Sequence, residues 1–276
     1  MKKILENYGV LASLVLMMIW VTVALTADIL PIHSPETVYE QSRLIGPAWS
    51  EGGTAEFPLG TDDLGRDLLS RLVFGARISL GFGFLCVATS VLIGGLLGMT
   101  AGFYGGWWDR TVTRLVDILM ALPSLLLAIV VVAVLGPSLW NALWAVTVVS
   151  LPGFIRITRA SVMSEREKDY VQAARSFGAG DLRLMFVTIL PNCMAPLIVQ
   201  ASLGFSDGIL NMAALGFLGL GAQPPTPEWG VMLADAKAYM ETAGHLVMLP
   251  GLCILSVVLG FNLLGDGLRD AFDPKS

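Results

Sequence analysis

Charged residues are scarce in this chain. Only 14% of its 276 residues are Asp, Glu, Lys or Arg, whereas 55% are hydrophobic and the mean hydropathy is +0.71. Since about 25% of the residues in an ordinary soluble domain are charged, the composition excludes that class and indicates an integral membrane protein. With so few charges, we expect any local concentration of them to have a definite role.

Cysteine and histidine are also rare. Cys86, Cys193 and Cys253 lie in or beside different apolar runs without Cys-x-x-Cys spacing, which favours packing in the membrane over a disulfide or a metal site. His33 and His245 are far apart in the sequence, and their surroundings do not show the spacing of a zinc site. We therefore predict that this chain binds no metal.

Sequence motifs of enzymes are missing. None of the five lysines follows a glycine, so the chain lacks the Gly-x-x-x-x-Gly-Lys-Ser/Thr phosphate loop, and it also lacks His-Glu-x-x-His and Gly-x-Ser-x-Gly motifs. The acidic segment from Gly60 to Asp67 lacks the alternating ligands of a calcium loop and is predicted to be a structural surface turn. We predict no catalytic residue and no cofactor in this chain. Energy for any transport must then come from an ion gradient or a partner.

Long uncharged runs predict an all-α integral membrane protein with six transmembrane helices. A crossing helix needs about 20 residues. The uncharged runs are Asn7 to Ala27, Ile78 to Trp108, Ile118 to Ile155, Leu184 to Ser206, Gly208 to Pro227, and Thr242 to Gly265. The third run is too long for one crossing, and Gly136-Pro137-Ser138 predicts a hairpin of two helices within it. Asp207 alone separates the fourth and fifth runs, which we interpret as one helix from about Asn192 to Leu220.

Basic residues near helix ends favour the cytoplasmic side, and their distribution predicts that both termini are cytoplasmic. The predicted parts are an N-terminal transmembrane helix (1–30), an extracytoplasmic loop (31–74), a core of five transmembrane helices (75–270) and a cytoplasmic tail (271–276). The core contains a cytoplasmic loop at 156–191. Lys2-Lys3 before an apolar run is also compatible with a removable secretory signal, but the run is long for one and lacks a clean cleavage pattern.

The segment from Arg156 to Pro191 is a charged island between two apolar regions, with six basic and four acidic residues. The Ala173-Ala174 pair favours a short helix, and Gly178 is suited to ending it in a left-handed conformation. A short helix with both charged and apolar side chains is suited to inserting into a groove of another protein. The segment is therefore a candidate contact for a partner.

This segment resembles the cytoplasmic loop of the membrane subunits of bacterial ABC importers, which reads Glu-Ala-Ala, three residues, Gly, nine residues, Ile-x-Leu-Pro. Here Gln172-Ala173-Ala174 precedes Gly178 at that distance, and Leu190-Pro191 follows. Gln172 replaces the glutamate and Thr188 replaces the isoleucine. The residues that the resemblance assigns to contact with an ATPase are Asp169, Tyr170, Gln172, Ala173, Ala174, Arg175, Gly178, Ala179, Leu182 and Pro191.

Three further blocks, Leu59–Arg71, Ala214–Gly230 and Asn262–Asp270, are similar to the dipeptide/oligopeptide/nickel subfamily of these permeases, and to the C-type subunit of its permease pairs. The resemblance implies a type I ABC importer permease fold in the bacterial cytoplasmic (inner) membrane. It also implies a homologous second permease, two cytoplasmic ATPases that bind ATP and Mg, and an extracytoplasmic peptide-binding protein, with no nucleic acid partner.

The cargo implied by the resemblance is a dipeptide or short peptide, and nickel complexes or other small solutes are the alternative. A secondary transporter usually carries repeated halves, which this sequence does not show. Asp207 and Asn211 are candidates for the translocation pathway, where the carboxylate would meet a peptide ammonium group; a packing role for Asp207 is the other interpretation. The glycine stripes Gly94/Gly98/Gly102 and Gly204/Gly208 allow close helix contact either within this chain or between subunits.

Overall fold

The computed structural model describes residues 8–272, and within this range the chain is all-α apart from one isolated antiparallel bridge between Thr61 and Asp67. The helices of these residues are α1 (Tyr8–Thr26), α2 (Leu68–Tyr104), α3 (Gly106–Met120), α4 (Ser124–Leu135), α5 (Leu139–Arg166), α6 (Asp169–Ser176), α7 (Asp181–Phe217), α8 (Trp229–Ala236) and α9 (His245–Phe272). The all-α prediction is confirmed. Lys2, Lys3 and most of the predicted tail 271–276 lie outside the described residues.

Helices α1, α2, α5, α7 and α9 are each long and apolar enough to cross a membrane. Helices α3 and α4 reach that length only as a pair, and the chain bends by 94° between them. Alone, the 12 residues of α4 extend about 18 Å, short of the roughly 30 Å of hydrocarbon. The structure thus has five long apolar helices, and it has the predicted six spans if this bent pair is one span.

Two predictions about individual helices are confirmed, a break between two of them and the continuity of a third. The break at Gly136-Pro137-Ser138 separates α4 from α5, with Gly136 at φ +92° and the Ser138 side chain capping α5 by accepting from the Asn141 amide. Helix α7 is the predicted single helix around Asp207, although it begins at Asp181, before the predicted start. Pro191 lies just after a π-helical segment, Leu184–Ile189, where regular i−4 bonding is already interrupted.

Helix α2 begins at Leu68, inside the stretch predicted as an extracytoplasmic loop. The Asp67 side chain accepts hydrogen bonds from the amides of Leu69 and Ser70 and so caps the helix. Arg71 is therefore a helical residue rather than a loop residue. The run of charges hid this helix start, because hydropathy alone does not register a capping residue.

The glycine stripe of α2 contacts α5 of the same chain. A Cβ atom at Gly98 would lie 2.5 Å from the carbonyl oxygen of Ile155, and one at Gly102 would lie 2.8 Å from that of Arg159. A Cβ at Gly204 of α7 would also meet a side chain of α5, at 3.0 Å from the ring of Phe154. These contacts confirm that the glycine stripes pack against helices of the same chain.

At one end of the bundle the loop before α2 forms a buried ionic cluster. The Asp62 carboxylate lies 2.6 Å from Arg66 Nε and 3.4 Å from Arg71 Nε, and all three side chains are buried. Arg71 also donates to the carbonyl oxygens of Pro35 and Pro225. The acidic segment is thus structural, as predicted, but the prediction that it lies on the surface is wrong.

Helix α8, which the hydropathy pattern did not predict, packs beside this cluster. Glu228 caps α8 by accepting from the amides of Gly230 and Val231, and burial raises the pKa of its carboxyl. Trp229 is fully buried, and its indole N–H donates to the carbonyl of Leu72 at 3.1 Å. Because these contacts join α8 to α2, the segment after α7 is held tightly rather than free.

Candidate functional site

Helix α6 carries the predicted ATPase contact. Asp169 lies in its first turn and Arg175 in its last, so both charges interact favourably with the helix dipole. Gly178 follows at φ +85°, and the amide of Ala179 returns to the carbonyl of Ala174 at 3.1 Å. The short helix and the left-handed glycine predicted from the sequence are confirmed.

The inner face of α6 is packed against the ends of three long helices. Val171 is fully buried in a cluster with Phe103 of α2, Val162 of α5 and Leu184 of α7. Ala174 and Ala179 are partly buried beside it. A displacement of α6 would therefore act on α2, α5 and α7 together, because close-packed apolar contacts transmit movement.

Polar contacts also hold α6 and the end of α5 against the end of α2. The Arg166 guanidinium donates to the last carbonyls of α2, at 2.7 Å to Gly102 and 3.2 Å to Phe103. The side-chain amide of Gln172 donates to the carbonyl of Arg166 at 3.2 Å. A glutamate, which stands at this position in the family pattern, is an acceptor when ionised and would not make that bond. Gln172 thus makes a hydrogen bond to α5 that an ionised glutamate at this position would not make.

Tyr170 links α6 to both neighbouring helices. Its hydroxyl donates to Glu165 Oε2 at 2.5 Å and accepts from Asn192 Nδ2 at 3.2 Å. Lys168 pairs with the other oxygen of Glu165 at 2.6 Å. Partial burial, followed by the hydrogen bond to Glu165, raises the pKa of Tyr170 to about 12, so the phenol stays protonated at neutral pH.

The outer face of α6 and the turn after it are exposed. Phe177 is 92% exposed, and Leu182 at the start of α7 is 70% exposed. The other exposed predicted contact residues include Asp169, Gln172, Ala173, Arg175, Gly178 and Pro191. Large exposed apolar side chains in a charged segment are a typical sign of a protein contact. Phe177 was not among the predicted site residues. Its position just before a left-handed glycine is the local signal that could have identified it.

Asp207 and Asn211 lie elsewhere, further along α7. About 26 residues of helix separate Asp207 from the start of α7, which corresponds to roughly 39 Å. The Asn211 amide donates to the backbone carbonyl of Asp207 at 2.8 Å, while the Asp207 side chain is exposed. Among residues 8–272 no basic side chain pairs with it. The packing interpretation is therefore not supported by any contact within the described chain.

Comparison with known proteins agrees with this geometry. Residues 94–276 match the family described as binding-protein-dependent transport system inner membrane component. The di/tripeptide transport system permease protein DppC of Pseudomonas aeruginosa is 57% identical over 98% of this chain and 89% of its own length. The dipeptide transport system permease protein DppC of Haemophilus influenzae is 53% identical over 98% of this chain and 92% of its own length.

A solved structure gives the same fold. A chain of the MetNI methionine ABC transporter in inward-facing conformation matches 75% of this chain and 98% of its own length, with a TM-score of 0.60 at 18% identity. The resemblance predicted from the loop and the three sequence blocks is confirmed. The chain belongs to the binding-protein-dependent transport system inner membrane component family, the membrane permease subunits of ABC importers.

Proposed function

We propose that this chain is one half of a heterodimeric permease that moves dipeptides or short peptides across the bacterial inner membrane. A homologous second permease, two cytoplasmic ATPases that bind ATP and Mg, and an extracytoplasmic peptide-binding protein complete the transporter. The chain itself catalyses no reaction. The names of its relatives, which specify dipeptide and di/tripeptide transport, support a peptide cargo, and the family description supports a binding protein.

The proposed topology has six crossings, by α1, α2, the α3–α4 pair, α5, α7 and α9, with both termini in the cytoplasm and a type I permease fold. In this arrangement α6 faces the cytosol, and α8 lies on the opposite side with the 27–67 loop. The basic residues of the 156–191 segment support this orientation.

The observation that carries the proposal is the pairing of an exposed apolar tip with a firmly anchored helix. Phe177, just after α6, and Leu182, at the start of α7, are exposed, while Val171, Arg166 and Tyr170 connect α6 to three long helices. Exposed aromatic residues commonly dominate protein contacts. Closure of the ATPases on ATP would therefore move α2, α5 and α7, provided that ATP binds the two states of the transporter with different affinity.

Asp207 and Asn211 are proposed to line the pathway. A charge near the middle of a membrane helix costs roughly 2.5–3.5 kcal/mol on insertion scales, so an exposed carboxylate there must face water or another protein. A water-filled path shared with the second permease meets this requirement. The carboxylate would attract the ammonium end of a peptide.

The test is Phe177→Ala in the assembled transporter, with Trp140→Ala as a control, because Trp140 is also an exposed aromatic residue (61%) but lies at the end of α5 that is far from α6. We expect Phe177→Ala to weaken ATPase binding about 30-fold, as for a contact worth about 2 kcal/mol. Uptake of a labelled dipeptide should fall to the same extent, while the amount of permease in the membrane stays unchanged. Normal uptake and normal ATPase copurification would contradict the assigned role of α6.

The cargo and the energy source have separate tests. An amino-acid auxotroph that grows on a dipeptide only when this subunit is present would support the peptide cargo, and uptake of a nickel complex instead would contradict it. Accumulation of solute by the purified chain alone, in vesicles without ATPases, would contradict the proposed dependence on ATP.

A further inference from the structure

Helix α2 borders two apolar grooves on the outside of the bundle. The larger, of about 680 Å³, lies between α1, α2, α7 and α9 and is lined by Met17, Trp20, Leu80, Phe84, Phe205 and Phe261, among others. The smaller, of about 280 Å³, lies between α2 and α7 and is lined by Leu92, Gly95, Met99, Phe186 and Met194, among others. Lipid tails are as apolar as leucine, so apolar lining alone would not select an occupant in a membrane.

Only the larger groove ends in charged side chains. Arg77 and Asp28 both line its end, with Arg77 Nη2 lying 2.9 Å from the Asp28 carboxylate. Arg77 Nε donates to the carbonyl of Ala24 at 3.0 Å, and both charged side chains remain partly exposed, at 41% and 66%. Thr158 is the most polar of the residues that line the smaller groove, and none of those residues is charged.

A second pocket, with a more polar lining than the groove, continues from this charged end. It measures about 590 Å³, shares Asp28 and Arg77 with the large groove, and is also lined by Glu36 and His33. An elongated apolar groove, a positive and a negative group, and a more polar pocket therefore follow one another in space. This order matches an amphiphile with a long tail and a charged head.

The charges narrow the choice of head group. Arg77 engages two of its three guanidinium nitrogens in the contacts above, and the third offers N–H donors to a phosphate. Two carboxylates, Asp28 and Glu36, accompany that single arginine. A purely anionic head would be repelled by them, whereas a head that also carries an ammonium group would pair with them. A quaternary ammonium has no N–H to donate, so a primary amine fits best.

We propose that this surface is a binding site for an aminophospholipid such as phosphatidylethanolamine. Its acyl chain would lie against Trp20, Leu80 and Phe84, its phosphate at Arg77, and its ammonium at Asp28 and Glu36. The site is separate from α6 and from Asp207. It would attach a membrane lipid where α1 joins the core.

Native mass spectrometry of the assembled transporter, equilibrated with phosphatidylethanolamine, phosphatidylcholine or phosphatidylglycerol, tests this assignment. We expect phosphatidylethanolamine to be retained about tenfold better than the other two, the effect of one additional charge-assisted contact. Asp28→Asn should remove this preference, because it removes a partner of the ammonium group. Arg77→Gln should instead lower the retention of all three lipids, because each of them carries the phosphate. Arg156→Gln, which breaks an exposed ion pair with Asp117 and does not line either groove of α2, should leave the preference intact.

A paired substitution tests the groove without changing any charge. Space is open around the Cβ positions of both Gly81, in the large groove, and Gly95, in the small one, and both lie in α2. Gly81→Leu should reduce phosphatidylethanolamine retention, and Gly95→Leu should not. Equal retention of all three lipids, no retained lipid, or a loss that is the same for both leucine variants would overturn the proposal. Should Gly81→Leu fail to assemble, the charge variants decide the question by themselves.

Discussion

At the α8 end of the bundle three charged side chains form a buried, paired cluster, whereas at the α6 end no charged side chain of the described residues is buried. Asp62, Arg66 and Arg71 form a buried cluster beside the fully buried Trp229. At the other end the most prominent side chain, Phe177, is 92% exposed. The first end is completed by contacts within the chain, and the second presents a surface that another molecule can use.

The difference has a physical basis. A buried charge is tolerated only when it is paired and hydrogen-bonded, so the α8 cluster requires several elements to fold together. The α6 end places its charges in water, where each pair contributes little to stability. Its apolar contacts, around Val171, face inward and hold the helix in position. Substitutions should therefore affect folding at the α8 end and partner binding at the α6 end.

The largest expected effect comes from Trp229→Ala. This change removes a buried indole and its hydrogen bond to Leu72, and should lower the free energy of unfolding by about 3–5 kcal/mol. Thermal unfolding in detergent measures the loss. Trp107→Ala, at a residue that is 72% exposed, is the control and should have almost no effect. Equal unfolding temperatures for the two variants would contradict the claim that the buried contacts at the α8 end stabilise the fold.

The second largest loss of stability is expected from Asp62→Asn. The change leaves Arg71 buried without a paired carboxylate and leaves Arg66 only its 3.8 Å contact with Asp235, which we expect to cost about 3 kcal/mol. The same substitution at Asp117, whose pair with Arg156 is exposed, should cost less than about 1 kcal/mol. Denaturant unfolding of both variants gives the two values. A cost for Asp117→Asn as large as that for Asp62→Asn would show that exposure does not separate the two ends.

Gln172→Glu should have a small and local effect. It removes the donor to the Arg166 carbonyl, at a cost of about 0.5 kcal/mol, and should speed amide hydrogen exchange in α6. Gln223→Glu is the matched control, since Gln223 donates to the carbonyls of Gly219 and Gly221 at the other end. Its exchange changes should be confined to that loop. Faster exchange in α6 for the control alone would contradict the assigned bond.

Tyr170→Phe tests the α6 end through the dependence of folding stability on pH. The pKa of Tyr170 in the folded chain, about 12, exceeds its ordinary value of 10.0, so the hydrogen-bonded phenol stabilises the fold below pH 10. That contribution is lost as the pH rises through about 12. Unfolding measured across this alkaline range should show the loss in the wild type and not in Tyr170→Phe. Identical alkaline profiles for the two proteins would mean that the Tyr170 contacts add nothing to stability.

Local sequence patterns predicted a large part of the fold. The apolar runs located α1, α7 and α9, Gly136 located the break before α5, and the Ala173-Ala174 pair with Gly178 located α6. Each of these depends on a few neighbouring residues. The start of α2 and the whole of α8 escaped prediction, because their caps, Asp67 and Glu228, lie in polar segments that read as loops.

The sequence by itself determined the membrane class, the approximate helices, the family and the segment of the candidate ATPase contact, since composition and short motifs carry this information. Only the tertiary structure decided that Asp62 is buried, that the glycine stripe packs within the chain, and that Phe177 and Asp207 are exposed. Burial and pairing depend on residues far apart in the chain, as in the contact of Arg71 with Pro225. A local pattern does not specify such contacts, because they form only when the helices pack together.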